Sequence, residues 1–547
     1  MLAGCSGAPA SGASRSPSAG PAPSHNTGLA ASAAALADID LVGQVLVPFA
    51  YGYDATNVSS GAAQANQKLA NVDTPAQMIA KYRLGGLILV DFQTGDATAR
   101  TNPTSNIESP AQIHQLTTGL QQAAAALPAK VALLVGTDQE FGWVTRIRAG
   151  VTQLPSGMAL GAAGDPALTE QGWAAAGGDL AALGINTDFA PDSDVLGAAG
   201  NAVIGSRSFG SDPAAVATQV AAAVRGLHQA GVAATLKHFP GHGHTTADSH
   251  STLPVIDETA AQMTAADLPP FASGIAAGAD LVMSGHLDAK GLDSGVAASF
   301  SSKILIDLLR GQLGFKGVVI TDALNMGPAE KYPPGDAAVR AILAGNDMLL
   351  MPPDLAAAQA GLLDALHSGR LPRPRLVEAV TRIMTLKLRL AGGPKPGPMS
   401  DVNSAGRQAA AVRAAAGAVT VLSGPCQGAL VHGSVQVSTS AGRDQQRTWL
   451  VDALRANGVQ VVDSGGTRVH LVGYGDTSSD LVSNATVTVA MDLPDILRRS
   501  TSPIRLATYS STQAAMIALA AVLADKAPAP GRSPVDVPDL PRSACRP

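Results

Sequence analysis

Residues 232–250 read VAATLKHFPGHGHTTADSH: an apolar run, Val232–Phe239, passes without a break into a polar loop, Pro240–His250. A short continuous apolar run is the pattern of a strand buried on both faces, as in a parallel sheet. Seven more such runs alternate with Ala-rich helical stretches between about residues 38 and 390, at 44–50, 86–91, 131–138, 185–191, 279–286, 317–324 and 346–352. Eight strands with intervening helices fit a (β/α)8 TIM barrel. A doubly wound open sheet is the competing arrangement; the count and the length favour the barrel.

Active sites of such barrels lie at the C-terminal strand ends. The polar residues gather there: Asp91 after the second run, Asp138-Gln139-Glu140 after the third, Asp188 and Asp192 around the fourth. Lys237 and His238 end the fifth, His286 the sixth and Asp322 the seventh. A barrel serving only as a scaffold has little need of this ring of charge. In the loop after the fifth run, Asp248 and His250 stand two residues apart, so on an extended chain they point the same way. A carboxylate beside an imidazole favours its charged form, which makes a proton-transfer device. The other readings of this loop are a His-rich surface segment and a metal site.

The motif KHFPGHGxxxxDSH at 237–250 resembles the signature of glycoside hydrolase family 3, in its bacterial β-N-acetylglucosaminidase branch. The resemblance covers roughly residues 38–390 and is weaker beyond. Glycoside cleavage needs one group at the anomeric carbon and another that moves a proton to and from the leaving oxygen. The resemblance implies that Asp322, in Ile320-Thr321-Asp322-Ala323-Leu324-Asn325-Met326, is the nucleophile. An aspartate capping the following helix is the alternative. It implies that His250 is the acid/base, oriented by Asp248, and that the reaction retains configuration through a covalent glycosyl-enzyme. By the same motif match, Asp138, Arg146, Arg207, Lys237 and His238 bind the sugar, with a structural salt bridge as the alternative for each arginine. One departure stands out. Where the family reads Asp-Gln-Glu-Gly-Gly-Arg, this chain has Asp138-Gln139-Glu140-Phe141-Gly142-Trp143. An aromatic there either faces the sugar or packs inward. His242 and His244 have no carboxylate or cysteine at a familiar ligand spacing, so no metal and no cofactor is expected.

The chain has 547 residues, 46% of them apolar, enough for two domains. A net charge of -5 gives no reason to expect nucleic acid. Aromatics make up only 3%, against a long stacking platform for polymeric sugar. No segment has 18 uninterrupted apolar residues, so no transmembrane helix is expected. Leu2-Ala3-Gly4-Cys5 resembles a bacterial lipobox, which implies a lipid on Cys5 and a membrane-anchored, exported protein. A Ser/Ala/Pro/Gly-rich tether follows, to residue 37. Only four residues precede Cys5, too few for a signal peptide, so a start further upstream is expected. Of the remaining cysteines, Cys426 and Cys545 suit a disulfide that ties down the Pro-rich tail; two buried thiols are the alternative.

After the barrel, assigned to 38–390, a Gly/Pro-rich linker at 391–409 leads to a C-terminal α/β sandwich domain at 410–547. Its strand-like runs are 419–422, 459–463, 469–473, 487–491 and 504–508, with a helix at 512–526. This domain resembles the C-terminal α/β domain of longer family members, and its role is not readable. The expected protein is a retaining exo-β-N-acetylglucosaminidase acting on a small saccharide or muropeptide from the cell wall. A β-glucosidase, a phosphorylase of the same family and a non-catalytic sugar-binding lipoprotein are the alternatives.

Overall fold

The computed structural model describes residues 24–90, 104–197, 201, 203–245, 249 and 252–545. Cys5, Asp91, Asp248 and His250 lie outside the described residues.

Eight strands form the barrel of the first unit: β1 Leu46–Val47, β2 Gly86–Ile88, β3 Leu134–Thr137, β4 Thr187–Asp188, β5 Ala233–Phe239, β6 Leu281–Ser284, β7 Val318–Thr321 and β8 Leu349–Leu350. Each falls inside one of the eight apolar runs. β2 to β7 pair in sequence order, all parallel. β8 joins β7 through a parallel bridge between Ile320 and Met348, and pairs with β1 in register Leu46 to Leu349. The Ile88 N–H donates to the Pro48 carbonyl at 3.0 Å, which closes the ring. Every residue of β5 is buried, as expected of a strand with helices outside and side chains packed inside. The helices are firmly started. A Thr74/Gln77 capping box opens Pro75–Tyr82, and Asp212 accepts two backbone N–H bonds at the head of Pro213–Gln229.

The second unit is a five-stranded sheet: β9 Thr420–Ser423, β10 Val435–Thr439, β11 Thr467–Val472, β12 Val487–Ala490 and β13 Ile504–Ala507. Its order is β9-β13-β12-β11-β10, antiparallel only between β9 and β13. The run at 459–463 is not a strand of this sheet. It makes a single bridge, Val461 to Val435, and β10 takes the edge position instead. Helix Gln513–Leu523 lies within the helix expected at 512–526.

The two units share a buried apolar cluster: Met158, Ala159, Leu196 and Ile204 from the first, Leu422, Val472, Leu497, Tyr509 and Val535 from the second. The C-terminal tail is bound into this seam. The Arg532 N–H donates to Ala162 O at 3.0 Å, and the Ser211 N–H to Pro534 O at 3.1 Å. Cys545 then bonds to Cys426, with their Cα atoms 5.3 Å apart.

Candidate active site

The ends of β3, β4, β5 and β7 and the turn at 203–207 meet at the barrel mouth. Lys237 Nζ, on β5, donates to Asp138 Oδ1 at 2.9 Å and lies 2.6 Å from Glu140 Oε1. Arg207 grips Glu140 with both arms of its guanidinium, Nε to Oε2 at 2.6 Å and Nη2 to Oε1 at 2.9 Å. Such forked pairs fix geometry as well as charge. Arg146 Nη2 lies 3.6 Å from Asp138 Oδ2. Asp138, Arg146, Arg207, Lys237 and His238 therefore belong to one connected cluster. Glu140, Asp192 and Asp194 complete it; Glu140 and Asp192 stood among the rim charges read from the sequence without an assigned role, and Asp194 was not singled out. The signal for Glu140 was its place beside Asp138. The signal for Asp194 was a second aspartate just past β4.

The turn carrying Arg207 is held tightly. Gly157 and Gly161 let helix Gly157–Ala163 lie flush against it, since a Cβ on either would sit 2.1 Å from Arg207 O or 1.7 Å from Phe209 O.

Burial sets the protonation states. Burial alone would raise the Asp138 and Glu140 carboxyls, but Lys237 with Arg146, and Arg207 with Lys237, override it and hold both at about 2. Burial pushes Asp188 and Asp192 well above the ordinary carboxylate range, with Asp194 adding to the effect on Asp192. His238 is held well below the ordinary histidine value by burial and the Arg207 cation, so it is neutral. Its Nδ1 lies 2.8 Å from Asp194 Oδ2 and its Nε2 3.2 Å from Arg207 Nη2. Nδ1 must then carry the proton and donate to Asp194, leaving Nε2 to accept from Arg207.

Asp322 stands at the end of β7. Its backbone N–H donates to Ser284 O at 2.9 Å, and its Oδ1 accepts from the Ala323 N–H at 2.8 Å. No helix starts at Ala323. The next one, Gly327–Glu330, follows Met326, so the capping alternative for Asp322 falls away. Asp322 acts electrostatically on both His238 and His242, so it faces the same barrel mouth. His286 holds the neighbouring turn, its Nε2 donating to Ala323 O at 3.0 Å. The root of the loop after β5 is also pinned. The His242 N–H donates to Asp194 Oδ1 at 2.7 Å, and His242 Nε2 lies 3.1 Å from Ser249 Oγ. Asp248 and His250 themselves are outside the described residues.

The departure at 141–143 resolves into two different roles. Phe141 packs inward, 5.3 Å from the Trp173 ring, and takes a left-handed φ of +68°. Trp143 turns the other way. It lies 5.7 Å above the Arg207 guanidinium and stacks on Tyr474 of the second unit at 4.7 Å.

Among the described residues, two groups of side chains have ligand atoms within 4.8 Å of one another: Asp192, Asp194, His238 and His244, Glu258, Asp267. The carboxylates beside His244 come from 14 and 23 residues further on, which a search for local ligand spacing does not reach. The first group already has the Arg207 cation 3.5 Å from Asp192. In the second, His244 Nδ1 bonds Asp267 Oδ1 at 2.9 Å, and burial with the Asp267 charge raises Glu258 to about 7.

Comparison with known proteins identifies the family of the barrel. The model of the glycosyl hydrolase family 3 N terminal domain matches residues 54–386. A beta-hexosaminidase of Pseudomonas aeruginosa is 40% identical over 307 residues, 55% of this chain and 84% of that protein. Beta-hexosaminidase A of Pseudoalteromonas piscicida is 35% identical over 58% of this chain, which spans only 55% of that longer protein. Among solved structures, a glycoside hydrolase family 3 beta-N-acetylglucosaminidase from Paenibacillus sp. str. FPU-7 superposes with a TM-score of 0.79 at 30% identity. That match covers 92% of this chain and 99% of that one.

Proposed function

The chain belongs to glycosyl hydrolase family 3, and on that premise we propose that it is a retaining exo-β-N-acetylglucosaminidase. The observation that carries this reading is the single cluster at the barrel mouth: a nucleophile candidate, Asp322, on β7, and buried hydroxyl-binding charges on and around β3 and β5. Asp322 attacks the anomeric carbon and forms a glycosyl-enzyme. His250, paired with Asp248, protonates the leaving oxygen and then takes a proton from water. Asp138, as an anionic acceptor, and Arg146 and Lys237, as cationic donors, suit the hydroxyls of one sugar ring. The activity printed for the Pseudomonas relative and for the Paenibacillus structure supports the choice of N-acetylglucosamine.

The natural substrate in this reading is a cell-wall fragment with a terminal β-linked N-acetylglucosamine. The protein is exported and held at the membrane by a lipid on Cys5; the Cys426–Cys545 bond supports an oxidising compartment. The test is hydrolysis of aryl β-N-acetylglucosaminide against aryl β-glucoside, by wild type and Asp322→Asn. Fast cleavage of the first, reduced at least about a thousandfold by the substitution, is expected. Preference for the glucoside would move the protein to β-glucosidase chemistry. Sugar 1-phosphate formed on adding phosphate would make it a phosphorylase.

A further inference from the structure

We propose that His244, Glu258 and Asp267 form a site for one divalent transition-metal ion of the Zn2+ class, separate from the sugar cluster.

Three segments of chain bring the ligands together. His244 lies in the loop after β5, Glu258 on the short strand Val255–Thr259, and Asp267 at the junction of helices Ala260–Ala266 and Leu268–Ala276. The loop serves both clusters in turn. The His242 N–H holds Asp194 of the sugar cluster, and two residues on the His244 ring holds Asp267. His244 Nδ1 stands 2.9 Å from Asp267 Oδ1 and 3.6 Å from Glu258 Oε2. Ligand atoms of a tetrahedral Zn2+ ion lie about 3.3 Å apart, a value these two spacings bracket. One imidazole with two carboxylates suits Zn2+ better than Ca2+ or Mg2+, which take more oxygens.

Asp267 carries an independent mark of a ligand site. It is 1% exposed and begins Leu268–Ala276, where an aspartate ordinarily caps the helix by accepting from its second or third N–H. Those positions are Pro269 and Pro270, which have no N–H, and the carboxylate makes no cap bond. Its Oδ2 is buried with no donor among the described residues, and so is Glu258 Oε2, the oxygen turned to His244. Buried polar atoms left so are costly, and one cation satisfies both. The backbone is shaped around the ligands. A Cβ at Gly241 would sit 2.7 Å from Asp267 Cβ, and one at Gly197 2.6 Å from His244 Cδ2. A cavity of about 540 Å³ opens over His244 and Glu258, past Leu253 and Val255, which gives an entry path and room for water as the fourth ligand. On binding, the ion replaces the Nδ1 proton that joins His244 to Asp267, and that proton leaves to solvent. His244 and Glu258 flank Asp248 and His250 in the chain, so the ion ties together the two ends of that segment.

The test is calorimetric titration of Zn2+ into the full, untagged, chelator-treated chain, with thermal melts of the same samples. Wild type should take up one Zn2+ here and gain about 2 °C in melting temperature at a hundredfold excess over Kd. Glu258→Gln and His244→Ala, at partly exposed positions, should weaken uptake at least about tenfold and lose the gain. Co2+ in place of Zn2+ gives a readout on the wild type alone: a visible absorption of tetrahedral intensity is expected, and the weak band of an octahedral ion overturns the geometry. Wild type without Zn2+ uptake overturns the site and leaves a shared proton between Glu258 and Asp267. Uptake unchanged in either variant also overturns it, and assigns the ion to other groups such as Asp192, Asp194 and His238.

Discussion

At the scale of single residues, the site is governed by charges that burial makes interdependent. Arg207 is 8% exposed and gives Glu140 a forked pair. Removing one partner of a buried pair leaves the other uncompensated and costs about 3–5 kcal/mol. Arg207→Met should therefore lower unfolding free energy by about 3 kcal/mol, the low end because Lys237 still faces Glu140 at 2.6 Å. A denaturant titration checks this; a change below about 1 kcal/mol would mean that Lys237 neutralises Glu140 alone. The same carboxyls set an acid limb. Asp138 and Glu140, held at about 2 when folded, contribute stability that is complete above their unfolded values near 4. It is lost as pH falls from about 4 to about 2, and Glu140→Gln should shrink that loss in melts across this window. The motif residues were legible because a rim charge after an apolar strand has few structural uses. Glu140, Asp192 and Asp194 were less so, because their part depends on which turns meet across the barrel.

At the scale of elements, the eight barrel strands were readable because strands buried on both faces leave continuous apolar runs. The second sheet was harder. β10, Val435-Gln436-Val437-Ser438-Thr439, lies among Ser, Gly and Thr and reads as a loop, whereas 459–463 is apolar without pairing along its length. Edge position depends on what the rest of the sheet leaves open, which no local pattern states. One helix carries a consequence for pH. Lys387, on Arg373–Gly392, is 3% exposed and donates to Gln44 Oε1 at 2.8 Å. Burial lowers it to about 7. A lysine depressed in the folded state is protonated more in the unfolded chain between about 7 and about 10.4. Stability from this group therefore rises with pH across that window and is lowest below it. Lys387→Met should flatten the rise, measured as unfolding free energy at pH 7 and pH 9. An equal slope in both proteins would assign it to another group.

At the scale of the whole molecule, the second unit and its tail hold one side of the active site in place. The seam hides Met158, Leu196 and Ile204 of the barrel, each worth about 2 kcal/mol when removed from water. It also brings the loops after β11 and β12 onto the Trp143 and Arg207 segments. Nothing local in the sequence announces this, because the contacting residues are some 290 to 330 positions apart. The tail crosses the seam through Arg532, Pro534 and Val535, then returns to β9, where the Ala544 N–H donates to Val421 O at 2.8 Å. The bond from Cys545 to Cys426 spans 119 residues. Constraining a loop of that length restricts the unfolded chain, by about 4–5 kcal/mol at most. Cys545→Ser, or reductant added to the wild type, should therefore lower the melting temperature by several degrees. The two effects should not add, since they remove the same bond. Because the strap bonds to Ala162, in the helix packed against the Arg207 turn, and to Ser211 just beyond that turn, loss of the bond should also raise KM for the aryl glycoside before it lowers kcat. An unchanged melting temperature in reductant would show that the tail stays docked through its backbone bonds and seam packing alone.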